Sequence, residues 1–191
     1  MDPLEGQPAE GTYFKDTVDL LGRSPAVLDA LLSGLPEPWT ASPDVTGGWL
    51  PRDVVGHLIT GELTDWPTRA SLIIEHGTSV PFERFDRVAM FERDAGLGLE
   101  ALIERFSRLR TANLALVAEM AGETELDRRG LHPALGEVTF RQLLGAWAVH
   151  DLDHISQIYA GLAGSYDAEV GPWRAYLGIL LRRDDPAAVA G

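Results

Sequence analysis

Apolar residues recur along this chain mostly at intervals of three, four and seven, the period of helices that bury one face. Between Phe14 and Leu35 the positions Phe14, Val18, Leu21, Val27, Leu28, Leu31 and Leu32 follow that spacing and predict a first helix, with a kink expected at Pro25. Pro51 suits the first turn of a second helix, where its missing N–H would have no partner, and Gly77 after His76 suits a stop. Helix two is thus expected over 51–76. From Thr78 to Gly98 the chain mixes Pro, Gly, aromatic and charged residues without a steady period, which reads as a long crossover connection with one short helical turn. A third helix is expected from about Leu99 to Met120, with Leu102, Phe106, Leu109, Asn113, Leu116 and Val117 along its stripe. Thr139 and Gln142 form a capping-box pattern that opens a fourth helix running to about Leu162. A short fifth helix is expected from about Pro172 to Leu181.

No segment alternates apolar and polar residues long enough to predict a strand. The expectation is an all-α four-helix bundle with a long crossover between helices two and three and a short C-terminal helix. It occupies one domain, 14–183, between flexible ends at 1–13 and 184–191, where Pro, Gly, acidic and small residues carry no apolar repeat.

Composition narrows the function. The 191 residues are 45% hydrophobic, enough to bury the core of one domain. Acidic residues outnumber basic ones 29 to 16, and the net charge of -13 repels both phosphate backbones and anionic lipid headgroups, so neither nucleic acid nor a membrane is an expected partner. No apolar run approaches the ~20 residues that span a bilayer, and the N-terminal stretch is acidic where a secretory signal would be basic, so a cytoplasmic protein is expected. Cysteine is absent, which excludes disulfides, thiolate ligands and a cysteine nucleophile. A metal would have to be held by nitrogen and oxygen.

Nitrogen donors come in a suggestive spacing. His150 and His154 stand four apart in the fourth predicted helix, where an i, i+4 pair is turned by about 40° and raised by about 6 Å, so both rings can reach one ion. Projected on that helix, His154 flanks the apolar face of Phe140, Leu143, Leu144, Trp147, Ile155, Ile158 and Leu162, and His150 lies just beyond it. Asp151 falls near the middle of the same face, where a bare carboxylate would be costly to bury. In helix two, His57 sits at the edge of the stripe of Val54, Val55, Leu58, Ile59, Leu63 and Trp66, and Glu62 lies near its middle. Each helix therefore brings histidine and a buried-looking acid. Taken singly, His57 reads better as a hydrogen-bonded core histidine than as a ligand, and Glu62 has Arg69 or Arg52 as a simple ion-pair partner. Taken together, His57, His150 and His154 make a three-nitrogen site that leaves coordination positions open for water or substrate. Glu62 and Asp151 are the candidates for orienting the imidazoles or transferring protons.

The run Trp49-Leu50-Pro51-Arg52-Asp53-Val54-Val55-Gly56-His57-Leu58, followed by Glu62 and Arg69, resembles the second helix of DinB-like proteins. His132-Pro133 and Gly136-Glu137-Val138-Thr139, leading through Leu143-Leu144 and Trp147 to His150, His154 and Gln157, resemble that family's loop and fourth helix. The resemblance spans roughly 14–181. It implies a four-helix bundle holding a divalent metal, typically nickel or zinc and in some members iron or manganese, on the positions of His57, His150 and His154. It also implies that homodimers are common, and that members of known activity include thiol S-transferases and a thiol-dependent isomerase. The expected function is a metal-dependent enzyme acting on a small-molecule substrate, of thiol S-transferase or hydrolase type, with a low-molecular-weight thiol as a candidate cosubstrate. The alternatives are a non-catalytic metal-binding or stress-response protein and a metal-free helical interaction module. No serine-hydrolase, phosphate-cradling or dinucleotide motif is present, and His76 and His132 have bland readings, one at a helix C-terminus and one in a loop.

Overall fold

The computed structural model describes residues 11–44 and 48–182. The expected flexible ends fall outside these residues except at 11–13, where Tyr13 already begins a helix.

The first expected helix is two, α1 (Tyr13–Leu21) and α2 (Ser24–Leu32). Pro25 does not kink a continuous helix. It lies in the first turn of α2, where an absent N–H costs nothing, and the chain breaks just before it. After the short α3 (Glu37–Thr40), the second expected helix is also divided, into α4 (Pro51–Thr64) and α5 (Trp66–His76). Pro67, in the first turn of α5, cannot continue the hydrogen-bond ladder of α4, and Asp65 takes up the change of direction at φ −117° and ψ −81°. The connection to α7 (Leu99–Met120) contains the single turn α6 (Met90–Arg93).

The predicted absence of strands needs correction. β1 (Arg129–His132) and β2 (Gly136–Thr139) form an antiparallel hairpin, with Arg129 opposite Thr139 and His132 opposite Gly136. Four residues are too few for a period to show in sequence. The hairpin leads into α8 (Phe140–Gly164), opened by the expected cap: Gln142 N donates to Thr139 Oγ1 at 3.2 Å and Thr139 N to Gln142 Oε1 at 2.8 Å. In place of one C-terminal helix, a 3-10 turn (Gly171–Tyr176) precedes α9 (Gly178–Arg182).

Contacts define the helix directions. Arg52 reaches the Leu97 carbonyl, Arg110 and Asn113 reach Glu62, and Ser71 reaches Met120, so α4–α5 and α7 run the same way. α8 runs against α4, since Glu62 meets Trp147 whereas the earlier His57 meets the later His150. The core has two apolar halves. One packs Leu28, Leu32, Val54, Val55, Leu58, Ile59, Phe106, Ile155 and Ile158, and the other packs Leu21, Trp66, Ile73, Leu114, Val117, Phe140, Leu144 and Trp147. On every bundle helix a polar residue stands between the two sets: Ser24, Glu62, Arg110 and Asp151, all buried.

Candidate metal centre

His57 lies on α4 in a stretch buried on all sides, Val54 to Glu62, with the α8 face on one side and the 77–98 connection on the other. His150 and His154 occupy successive turns of α8, on the flank of its buried face. The helices bring the three rings together. One donor nitrogen from each lies within 4.8 Å of the others, and Nε2 of His57 is 3.1 Å from Nε2 of His150.

Hydrogen bonds set the ring orientations. His57 Nδ1 donates to the Arg87 carbonyl at 3.1 Å, so the neutral ring presents a bare Nε2 lone pair to His150. His154 Nδ1 likewise donates to Gln157 Oε1 at 2.8 Å. His150 is different, because its Nδ1 is buried without a hydrogen-bond partner. Without a cation, His150 Nε2–H has to donate to His57 and leave its own Nδ1 as an orphaned acceptor. With a shared cation, both facing Nε2 atoms become ligands. A separation of 3.1 Å is near the roughly 3.3 Å expected of two nitrogens bound tetrahedrally to a small divalent ion, and the three-nitrogen donor set suits such an ion. The residues fit a metal.

Electrostatics point the same way. Burial, with His154 close by, lowers the His57 imidazole to about 4, and burial with both neighbouring histidines lowers His150 to about 2. Burial lowers His154 as well, against the hydrogen bond to Gln157 and the charges of Asp153 and Asp151. All three rings are therefore neutral near pH 7, the form that binds metal. The Arg87 guanidinium contributes to the lowering of each.

Aromatic rings wall the site. Trp49 lies 4.8 Å from the His57 ring and stacks on His154 at 6.2 Å, Phe85 meets His57 edge-on at 5.3 Å, and Trp66 meets His150 edge-on at 5.2 Å. Phe91 stands edge-on to Trp49 and is half exposed. Phe85, Arg87 and Phe91 all belong to the connection between α5 and α7, so that segment forms one side of the site.

Glu62 and Asp151 are buried as their positions predicted, but their oxygens face Arg110 of α7. Arg110 Nε and Nη2 donate to Glu62 Oε1 at 3.0 and 2.8 Å, and Nη1 and Nη2 to Asp151 at 2.5 and 2.9 Å. Asn113 Nδ2 and Trp147 Nε1 also donate to Glu62, and Ser24 Oγ to Asp151. Burial pushes the Glu62 carboxyl up against the pull of Arg110. Among the described residues no hydrogen bond joins either carboxylate to an imidazole. The arginines weighed as partners from sequence are engaged elsewhere: Arg69 with Asp65, and Arg52 with the carbonyls of Asp94 and Leu97. Arg110 carried a readable signal, since it stands four residues after Phe106 and seven before Val117, inside the apolar stripe of α7.

The sequence model of the DinB superfamily matches residues 20–158. No curated protein matches the chain. Among solved structures, YfiT from Bacillus subtilis, described as a probable metal-dependent hydrolase with an unusual four-helix bundle topology, superposes with a TM-score of 0.68 at 21% identity, covering 88% of this chain and 93% of its own. That likeness is one of fold.

Proposed function

Because the chain belongs to the DinB superfamily, we propose that it is a metal-dependent enzyme acting on a small molecule, of hydrolase or thiol S-transferase type, with one divalent ion on His57, His150 and His154. The observation that carries this reading is the convergence of three imidazoles that each bring a ring nitrogen within 4.8 Å of the others, at a site walled by Trp49, Phe85 and Trp66. A bound divalent ion would supply Lewis acidity, lowering the pKa of a water or thiol near neutral pH. The chain's own residues do the rest. The Arg87 carbonyl and Gln157 fix the tautomers of His57 and His154, and the aromatic walls exclude water and give an organic substrate an apolar surface. The half-exposed Phe91 and the exposed Arg87 mark the side from which a substrate would enter. Nickel or zinc is the first expectation for the ion. A low-molecular-weight thiol cosubstrate, a homodimeric assembly and a cytoplasmic location belong to the same proposal.

The test uses untagged protein. Elemental analysis should find about one divalent ion per chain, and His150→Ala should lose it. Metal-loaded protein is then assayed with ester and amide substrates, and with thiols plus electrophiles. Turnover that disappears in His150→Ala supports an enzyme, and its nature separates hydrolase from transferase. Stoichiometric metal without turnover would shift the reading to a non-catalytic metal-binding protein, and wild-type protein with no affinity for zinc or nickel would end it.

A further inference from the structure

Arg110 is 1% exposed and belongs to α7, a bundle helix that brings no histidine to the triad. Its planar guanidinium lies over the rings of Phe106, at 4.8 Å, and Trp147, at 5.1 Å. In that plane it holds Glu62 of α4 on one side and Asp151 of α8 on the other, while Nη1 also donates to the Leu21 carbonyl at the end of α1 at 2.8 Å. These carboxylates are tied to the histidine positions by the chain itself. Asp151 is the next residue after His150, and Glu62 is five residues, less than one and a half turns, beyond His57.

We propose that Arg110 is the positioning residue of the metal centre: by gripping Glu62 and Asp151 at once it fixes the axial register of α4 against α8, and so sets the separation of His57 from His150 and His154. This rests on the metal-dependent reading above. The physical basis is the direction of the restoring force. Apolar burial is non-directional and follows the area removed from water, so it defines the offset of two helices less sharply than a directional bond does. A charge-assisted hydrogen bond of 2.5–3.0 Å in a buried site defines it sharply, since stretching it by an ångström loses most of its energy with no water to replace it. Held at both ends by such bonds, the two histidine-bearing helices have one favoured offset. The residue thus acts on the ion through Glu62 and Asp151 and touches no ligand ring itself.

The test compares wild type with Arg110→Lys, which keeps the positive charge but not the planar fork, and with Glu62→Gln, which keeps the volume and carries the test alone if the lysine variant does not fold. Affinity for Zn2+ is measured by competition with a chromophoric chelator, and the visible spectrum of Co2+-loaded protein reports the coordination geometry. Both variants are expected to bind Zn2+ at least tenfold more weakly, with shifted Co2+ bands, even at temperatures where circular dichroism shows the native helix content. A merely structural role would lower the melting temperature and leave the Co2+ spectrum and Zn2+ affinity of the folded protein unchanged; that result overturns the inference while leaving the metal-binding reading intact. Wild type that binds neither ion overturns both.

Discussion

Gly56 puts no side chain into the gap between α4 and α6, and a Cβ added there would stand 2.9 Å from Met90 Cβ and 3.2 Å from Asp94 Oδ2. Alanine gains about 1 kcal/mol in helix propensity, but an overpacked contact costs roughly 1–3 kcal/mol, and Met90 Cβ is fixed to its backbone and cannot yield like a side-chain tip. Gly56→Ala should therefore destabilise the protein by about 1 kcal/mol in chemical denaturation; a stabilised variant would show that α6 is free to move. The histidines make a second prediction at this scale. Unfolded imidazoles take protons below pH 6.5, whereas folded His57 resists until about 4 and His150 until about 2, so the unfolded state binds more protons in that interval and stability falls as pH drops. Asp65, raised by burial to about 6, and Glu62, also raised by burial, work in the opposite sense. His57 and His150 outweigh Asp65 by roughly 2 kcal/mol between pH 7 and pH 5 in metal-free protein, and a His57→Gln/His150→Gln double variant should show no such loss in denaturant unfolding. At this scale the histidines were legible from their spacing and edge positions, and Glu62 and Asp151 from being acids on apolar faces. Arg110 is legible only in part: its place in the apolar stripe of α7 signals burial, but a long side chain can bend out to water from such a place, and the neighbouring helices alone reveal its partners.

Elements were legible where a single period runs unbroken. α7 and α8 have long stretches of one face and clear ends, and they lie where the apolar stripe and the Thr139 cap put them. Replacing that cap, Thr139→Ala, should cost about 1 kcal/mol in denaturant unfolding while leaving Zn2+ affinity of the folded protein unchanged, since the cap lies about three turns before His150. An affinity that fell with stability would mean that fraying at the start of α8 reaches the ligands. The breaks were less legible. α4 and α5 share one apolar stripe, and the division between them depends on Pro67 together with the ion pair of Asp65 and Arg69, a tertiary solution that periodicity does not encode. The hairpin was missed for another reason: its pairing is set by Gly130 packing against Ile73 and Phe82 and by the bond from Phe82 N to the Leu131 carbonyl, contacts remote in sequence.

Across the whole molecule, the two apolar halves are joined through one polar layer and flanked by the triad, so an ion bound at the triad would clamp α4 to α8 beside the Arg110 grip. Binding only to the folded state adds stability by mass action: free Zn2+ at a hundred times its dissociation constant contributes about 2.7 kcal/mol, or roughly 5–10 °C in melting temperature for a chain of this size. Differential scanning calorimetry with and without Zn2+ should show this rise, a chelator should reverse it, and His150→Ala should not respond. An identical midpoint in all samples would contradict a folded-state metal site.

The partner that orients His57 is the carbonyl of residue 87, not a side chain. A carbonyl is supplied by any amino acid, so although Phe82, Met90 and Asp94 are fixed by burial, that hydrogen bond stays while letters change at the exposed positions of the 77–98 segment. Its length carries no such freedom: removing or adding one residue between Gly77 and Arg87 would carry that oxygen past the imidazole. Evolution or an engineer seeking a new substrate could substitute at the exposed positions of this segment, and would pay for every insertion or deletion before residue 87 with the ring's alignment.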